Sequence, residues 1–131
     1  MTHQRISSGG PWEERGGYSR AVRAGNLVFV AGTTSANPDG TVFAPGDAYA
    51  QAVRILDIIE TALAEAGASM ADVVRTRMFV TDIQRFDDVI RAHGERFATT
   101  RPAATMVEVS RLVLPEMLVE IEVDAVIAEP S

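Results

Sequence analysis

Four carboxylates lie in two short stretches near the end of the sequence, and their spacing decides what chemistry they could do. The stretch RPAATMVEVS, residues 101–110, contributes Glu108. The stretch MLVEIEVDAV, residues 117–126, contributes three more at every second position, Glu120, Glu122 and Asp124. Both stretches alternate apolar and polar residues, which is typical of strands with one apolar face. A carboxylate held partly away from water on such a strand can act as a general base.

The same alternation leaves two interpretations open for these carboxylates. A third stretch, VVRTRMFV at residues 73–80, carries Arg75 and Arg77 on one face if the alternating set of Val74, Thr76, Met78 and Val80 faces the helices of the domain. Opposite charges on neighbouring strands contribute about 0.2–1 kcal/mol per pair. We therefore predict that Glu122 and Asp124 pair with the two arginines. Glu120 is either one more rung of this ladder or a functional residue.

The elements that must position these strands follow from periodicity and turn signals. Residues 8–17, SGGPWEERGG, are predicted as a loop. Residues 19–32 read as two strands joined at Gly25-Asn26. Apolar residues then recur at helical spacing from Asp47, a predicted N-cap, to Gly67, a predicted C′ glycine. The remaining predicted elements, in chain order, are a strand at 73–80, a helix at about 84–98, and strands within 101–110 and 118–127.

The element order predicts a single domain over residues 1–131, in which residues 1–17 form an N-terminal strand and loop segment. The order of the remaining elements is β-β-α-β-α-β-β. Two helices are too few to cover both faces of such a sheet, so they should pack together on one face. The predicted fold class is an α+β two-layer sandwich. Its other sheet face must meet water or another subunit.

Composition excludes several classes of function. The net charge of −6 argues against a general nucleic-acid binder and against binding to anionic membranes. The chain has no cysteine, and its two histidines lack metal-ligand spacing, so no metal site is expected. No apolar run reaches the roughly 18 residues of a membrane span. The first residues have no apolar core of a secretory signal, and we expect a cytoplasmic protein.

Several phrases of the sequence resemble the RidA family, also called YjgF or L-PSP endoribonuclease-like proteins. They are GYSRAV (17–22), GNLVFVAG (25–32), DVVRTRMFVTDI (72–83), RPAATMVEVSRL (101–112) and VEIEVDAV (119–126). The resemblance implies a chorismate-mutase-like fold that assembles as a homotrimer with clefts between adjacent subunits. It also implies hydrolysis of reactive enamines and imines derived from amino acids, with no cofactor or metal.

The resemblance also implies site residues. Glu120 matches a glutamate that holds or activates the hydrolytic water, and Tyr18 matches a tyrosine near the cleft. Backbone groups of Ala31, Gly32 and Thr33 match a turn that contacts substrate. The deaminating members carry an arginine that grips the substrate carboxylate where this chain has Ala104, and many carry a cysteine where it has Met106.

The missing arginine leaves the function open between alternatives. A typical 2-imino acid deaminase is not expected, because alanine can neither hold nor orient a carboxylate. The substrate either lacks that carboxylate or binds it differently, and Arg20, Arg101 and Arg111 are the open candidates for a substitute clamp. The alternative is a non-catalytic trimer that binds or senses a small ligand in the same clefts. RNA cleavage, a third option, is disfavoured by the acidic charge.

Overall fold

The structure is a computed structural model that describes residues 2–128. It contains six strands and three α-helices, in chain order β1 (Gln4–Ile6), α1 (Pro11–Gly16), β2 (Ala21–Ala24), β3 (Leu27–Thr33), α2 (Ala48–Glu65), β4 (Val73–Val80), α3 (Phe86–Phe97), β5 (Ala103–Glu108) and β6 (Val119–Val126). Short 3₁₀ turns at Met70–Asp72 and Ile83–Arg85 precede β4 and α3.

All six strands form one sheet in the order β1-β2-β3-β6-β4-β5. Every neighbouring pair is antiparallel except β4 and β5, which are parallel. The last strand of the chain, β6, therefore enters the middle of the sheet between β3 and β4. This insertion fixes β6 on both sides, and with it the carboxylates that the strand carries.

Helices α2 and α3 pack against each other and cover one face of the sheet, as the predicted α+β two-layer sandwich requires. The alternating apolar residues of β6 form the centre of the core and are at most 1 % exposed: Val119, Ile121, Val123 and Ala125. Burying such side chains stabilises the fold by about 25 cal/mol per Å² of apolar surface. Among the described helices, none combines the length and apolar character needed to cross a bilayer.

The predicted turns and caps are confirmed. The Asp47 carboxylate accepts the N–H of Ala50 at 2.9 Å, which satisfies a free donor at the start of α2. Gly67 follows α2 with φ +86°, a conformation that glycine adopts without steric cost. Ala24 pairs with Leu27 across the two-residue turn Gly25-Asn26, so the predicted hairpin forms there.

The loop prediction for residues 8–17 is wrong over α1. Pro11 occupies the first helical turn, where its missing N–H costs nothing, and Gly17 ends the helix with φ +72°. Glu13 points inward and is 5 % exposed, with its carboxylate accepting hydrogen bonds from Ser7 and Ser8. The glycines and proline that suggested a loop therefore flank a short helix, which is anchored by one buried glutamate.

The predicted apolar face of β4 is wrong at Val74. The pairing of β4 with β6 shifts register between Val73 and Arg75, as at a β-bulge. As a result Val73 is buried, whereas Val74 is 48 % exposed. From Thr76 onward the alternation follows the prediction, because the extra residue has been absorbed before that point.

The expected apolar face of β5 is also largely uncovered. Of Ala103–Glu108, only Met106 is half-buried and the other residues are exposed. The physical reason is position, because β5 is an edge strand with a neighbour on one side only.

His93 lies on α3, where the sequence predicted a packed helix histidine, and it makes acid stability testable. His93 is 7 % exposed, with Nε2 2.8 Å from Thr76 Oγ1, and burial lowers the pKa of His93 below its usual 6.5. Below pH 6.5 His93 becomes protonated in the unfolded chain but stays neutral in the folded protein, so stability is lost as pH falls towards the folded pKa.

We expect His93→Gln to flatten this loss of stability in thermal melts from pH 8 to 5, whereas a variant at an exposed residue, His3→Gln, should lose stability as wild type does. Equal slopes for wild type and His93→Gln would contradict the assignment.

Candidate functional site

One cavity of about 660 Å³ brings together residues from both ends of the chain. Its walls come from α1, the segment before β2, the end of β3, α2 and β6. The lining residues that bear on chemistry are Trp12, Tyr18, Arg20, Gly32, Arg54 and Glu120. The volume lies in the range of small-molecule sites, about 300–1,000 Å³. The cavity is therefore large enough for a metabolite and is lined by both acidic and basic groups.

Glu120 reaches the cavity because of the strand alternation that buries its neighbours. Val119 and Ile121 point into the core, so the side chain between them leaves on the opposite face. Burial raises the pKa of Glu120 above its usual 4.5, while the nearby charge of Arg20 lowers it and that of Glu122 raises it. A carboxylate with a raised pKa is a stronger base than an exposed glutamate, as general-base chemistry near neutral pH requires.

The charge ladder predicted for this face forms without Glu120. Arg77 Nη1 lies 3.4 Å from both Glu122 Oε1 and Asp124 Oδ2. Arg75 makes no ion pair within residues 2–128. Since Glu120 stands opposite Phe79 in the register, no arginine of β4 is its direct neighbour. The pairing prediction is thus confirmed for Arg77 alone, and Glu120 is not a rung.

The fourth carboxylate, Glu108, has a structural partner as well. Its Oε1 accepts the N–H of Ile83 at 3.0 Å, at the start of the 3₁₀ turn before α3. Within the described part of the chain, Glu120 is consequently the only one of the four carboxylates with no hydrogen bond or ion pair. An unpartnered, half-buried carboxylate is costly for stability, and such groups are concentrated at functional sites.

Gly32 brings the backbone of β3 against Glu120. A Cβ at this position would overlap Oε2 of Glu120 and lie 3.1 Å from its Cδ. The carbonyl of Gly32 accepts a hydrogen bond from Arg20 Nη2 at 2.7 Å. The glycine is needed for this close approach, and it lies against both the carboxylate of Glu120 and the guanidinium of Arg20.

The structure brings most of the residues assigned by resemblance to this cavity. Tyr18, 44 % exposed, lines it together with Gly32, Thr33 and Glu120. Ala31 lies next to the cavity without lining it, and its N–H donates to the carbonyl of Arg20 at 2.9 Å.

Ala104 and Met106 do not line the cavity of a single chain. Both lie on β5, and β4 separates that strand from β6. Glu120 aligns with Phe79, which in turn aligns with Val107, so two strand spacings of about 4.8 Å intervene. Within one chain these two residues are therefore remote from the carboxylate.

Two basic residues of the cavity could not be assigned from the sequence. Arg54 stands on α2 with its guanidinium 4.2 Å from the centre of the Phe43 ring, and spacing along a helix does not show that it faces a cavity. Arg20, one of the open candidates for the clamp, lies beside Gly32. The other two candidates, Arg101 and Arg111, do not line the cavity.

Trp12 closes the cavity from the side of α1 and stacks with Arg15 at 4.9 Å. This aromatic wall follows from the short helix that the sequence pattern did not reveal. Within residues 2–128, no three His, Asp or Glu side chains lie close enough together to hold a metal ion.

Comparison with known proteins places most of the chain among relatives of one kind. The model of the family described as Endoribonuclease L-PSP matches residues 11–127. The crystal structure of Rv2704 from Mycobacterium tuberculosis, described as a member of the YjgF/YER057c/UK114 family, is 48 % identical with a TM-score of 0.88, covering 96 % of this chain and all of that one. The Escherichia coli YjgF gene product gives a TM-score of 0.81 at 32 % identity, covering 94 % and 98 %. The 3-aminoacrylate deaminase RutC of Acinetobacter baylyi is 35 % identical over 104 residues, 79 % of this chain and 82 % of that protein.

Proposed function

The chain belongs to the Endoribonuclease L-PSP family, whose members are also named RidA or YjgF, and from this premise we propose that it hydrolyses small enamines or imines with Glu120 activating water. The observation that carries the proposal is the unpartnered Glu120 carboxylate in a cavity of metabolite size. A relative named as a 3-aminoacrylate deaminase adds support for this class of substrate.

The proposed reaction balances without a cofactor. An enamine becomes an imine when a proton moves from its nitrogen to its carbon. Water then adds to the C=N carbon, with Glu120 taking a proton from the water and passing it to the nitrogen. The hydroxyl proton of the adduct moves to the nitrogen, the C–N bond breaks, and ammonia leaves a carbonyl product. No electrons are exchanged with an oxidant or reductant.

Ammonia release from freshly generated substrates tests this proposal. We expect turnover of 3-aminoacrylate-type enamines, whereas turnover of 2-iminopropionate should be at least about 30-fold below that of an arginine-bearing relative, because Ala104 cannot hold the carboxylate attached to the imine carbon. Ala104→Arg should then raise the rate with 2-iminopropionate. Ligand binding without ammonia release from 2-imino acids, aminoacrylates or aminomuconate-type compounds would instead support the non-catalytic binder.

We also propose that the chain assembles as a homotrimer. The sheet face opposite the helices carries three apolar side chains whose exposure to water is unfavourable. They are Leu27, Phe29 and Val126, each between 42 % and 46 % exposed. Beside them lies the charge ladder of Arg77, and β5 leaves an exposed edge. Such a face suits burial against further copies of the chain. Light scattering at micromolar concentration should give three times the chain mass, and a monomer would contradict the proposal.

A further inference from the structure

Arg20 is fixed in the cavity by its own backbone and side chain. Its N–H donates to Ile6 O at 2.8 Å, and its carbonyl accepts the N–H of Ala31 at 2.9 Å. These bonds hold the residue between β1 and β3, just before β2 begins. Its Nη2 donates to Gly32 O at 2.7 Å, which aims the guanidinium along the wall of the cavity that Glu120 also lines. A long side chain is thus held in one orientation before any ligand arrives.

The charge of Arg20 is not neutralised by a partner in the chain. No carboxylate within residues 2–128 forms an ion pair with it, and its buried Nε–H has no acceptor there. Its hydrogen bond to Gly32 uses one of five N–H donors. Glu120 is close enough for the two charges to interact but does not pair with Arg20. A half-buried cation without a counter-ion is costly, so a purely structural ion pair does not explain this arginine.

The free charges of the cavity are mostly positive. Glu13, one of its two carboxylates, is occupied by the hydroxyls of Ser7 and Ser8. Arg54 also lines the cavity and has no ion pair in the described chain. A guanidinium offers parallel N–H donors that match the two oxygens of a carboxylate. The cavity therefore favours a small anion at Arg20, and Glu120 lines the same cavity.

We propose that Arg20 binds the carboxylate of the substrate and turns the carbon that is to be attacked towards Glu120. This inference rests on the proposed enamine hydrolysis and narrows its substrates to enamines that carry a carboxylate. With Arg20 as the clamp, the alanine at position 104 means that a different residue holds the carboxylate, not that carboxylate recognition is lost. The clamp and the base then belong to the same chain, with Arg20 just before β2 and Glu120 on β6, and both lie against Gly32 of β3.

Binding of an unreactive pair of probes tests the clamp without depending on turnover. Acrylate and acrylamide have nearly the same shape and differ in charge, and the chain has no cysteine that could react with them. Their affinities would be measured by ligand-observed NMR for wild type, Arg20→Gln and Arg5→Gln. Glutamine at position 20 keeps a donor for Gly32 O but loses the charge. Arg5→Gln removes the same charge from an exposed residue of β1 that does not line the cavity.

We expect Arg20→Gln to weaken acrylate binding by at least about tenfold and to leave acrylamide binding unchanged. Arg5→Gln should bind both probes like wild type, and Arg20→Lys should recover part of the preference for acrylate. Equal affinity of wild type and folded Arg20→Gln for acrylate overturns the clamp, as does wild type that binds acrylate no better than acrylamide. Ammonia assays separate the two proposals. Charge-selective binding without turnover supports the clamp and contradicts the proposed hydrolysis, whereas turnover that Arg20→Gln leaves unchanged supports the hydrolysis and contradicts the clamp.

Discussion

Glu120→Gln is expected to lower turnover by at least about 10²-fold while the protein remains folded. Glutamine keeps the shape of the side chain but cannot take a proton from water. Because Glu120 has no hydrogen bond or ion pair within residues 2–128, the substitution breaks no contact that supports the sheet. The measurement is initial-rate ammonia release at matched concentrations of folded protein.

Glu122→Gln is the matched control, since it makes the same chemical change two residues along β6. It removes one of the two contacts of Arg77 in a partly exposed ladder and the smallest of the influences on the pKa of Glu120, so we expect a stability change within about 1 kcal/mol and a far smaller effect on turnover than that of Glu120→Gln. If Glu120→Gln kept wild-type turnover, or lost stability instead of activity, Glu120 would be a structural residue.

The raised pKa of Glu120 gives this variant a distinctive pH dependence. A folded carboxyl with a raised pKa contributes stability that is complete below its unfolded pKa, near 4.5, and is lost as pH rises through the folded value. Glutamine stays neutral, so Glu120→Gln should match wild type at low pH and be the more stable protein at pH 7. The acid limb of wild-type activity should lie above the pH expected for an exposed glutamate.

Local chemistry determines the parts of the fold that the sequence predicts well. Alternation in β6 predicted which residues enter the core, because a strand in the middle of a sheet has a fixed period of two. Asp47 and Gly67 marked the ends of α2, because caps depend only on the groups nearest to them.

The prediction failed wherever the outcome depends on a partner distant in sequence. The exposure of Val74 comes from a register shift against β6, and no property of residues 73–80 reveals it. Helix α1 is the exception, because Glu13 bonds to serines only five and six residues before it, and the flanking glycines and proline suggested a loop instead.

The residues of the candidate site also differ in how well the sequence alone predicts them. Glu120 could be singled out by its position in an alternating strand and by family resemblance. The proposed role of Arg20 could not, because it depends on which carbonyl its side chain meets and on which carboxylates do not reach it.

Gly32→Ala is expected to reduce turnover by roughly 10²-fold, because a misplacement of about 1 Å in a catalytic group can have an effect of that size. The new methyl group would overlap the Glu120 carboxylate, so that flexible group must move away from its position in the cavity. Gly32 has no left-handed φ, so alanine introduces no backbone strain there. The melting temperature should therefore change much less than the rate of ammonia release.

The matched control is Gly94→Ala on α3, where a Cβ meets nothing within 4 Å. There the same substitution should leave turnover unchanged and stabilise the helix by about 1 kcal/mol.

A double variant tests whether Gly32→Ala acts by displacing Glu120. If it does, Gly32→Ala should cause little further loss of turnover in a Glu120→Gln background, because the side chain that it displaces no longer takes a proton. Multiplicative losses in the double variant would show that Gly32 affects the reaction by another route, most directly through its carbonyl contact with Arg20. Comparing acrylate affinity in Gly32→Ala with that in wild type then distinguishes a disturbed base from a disturbed clamp.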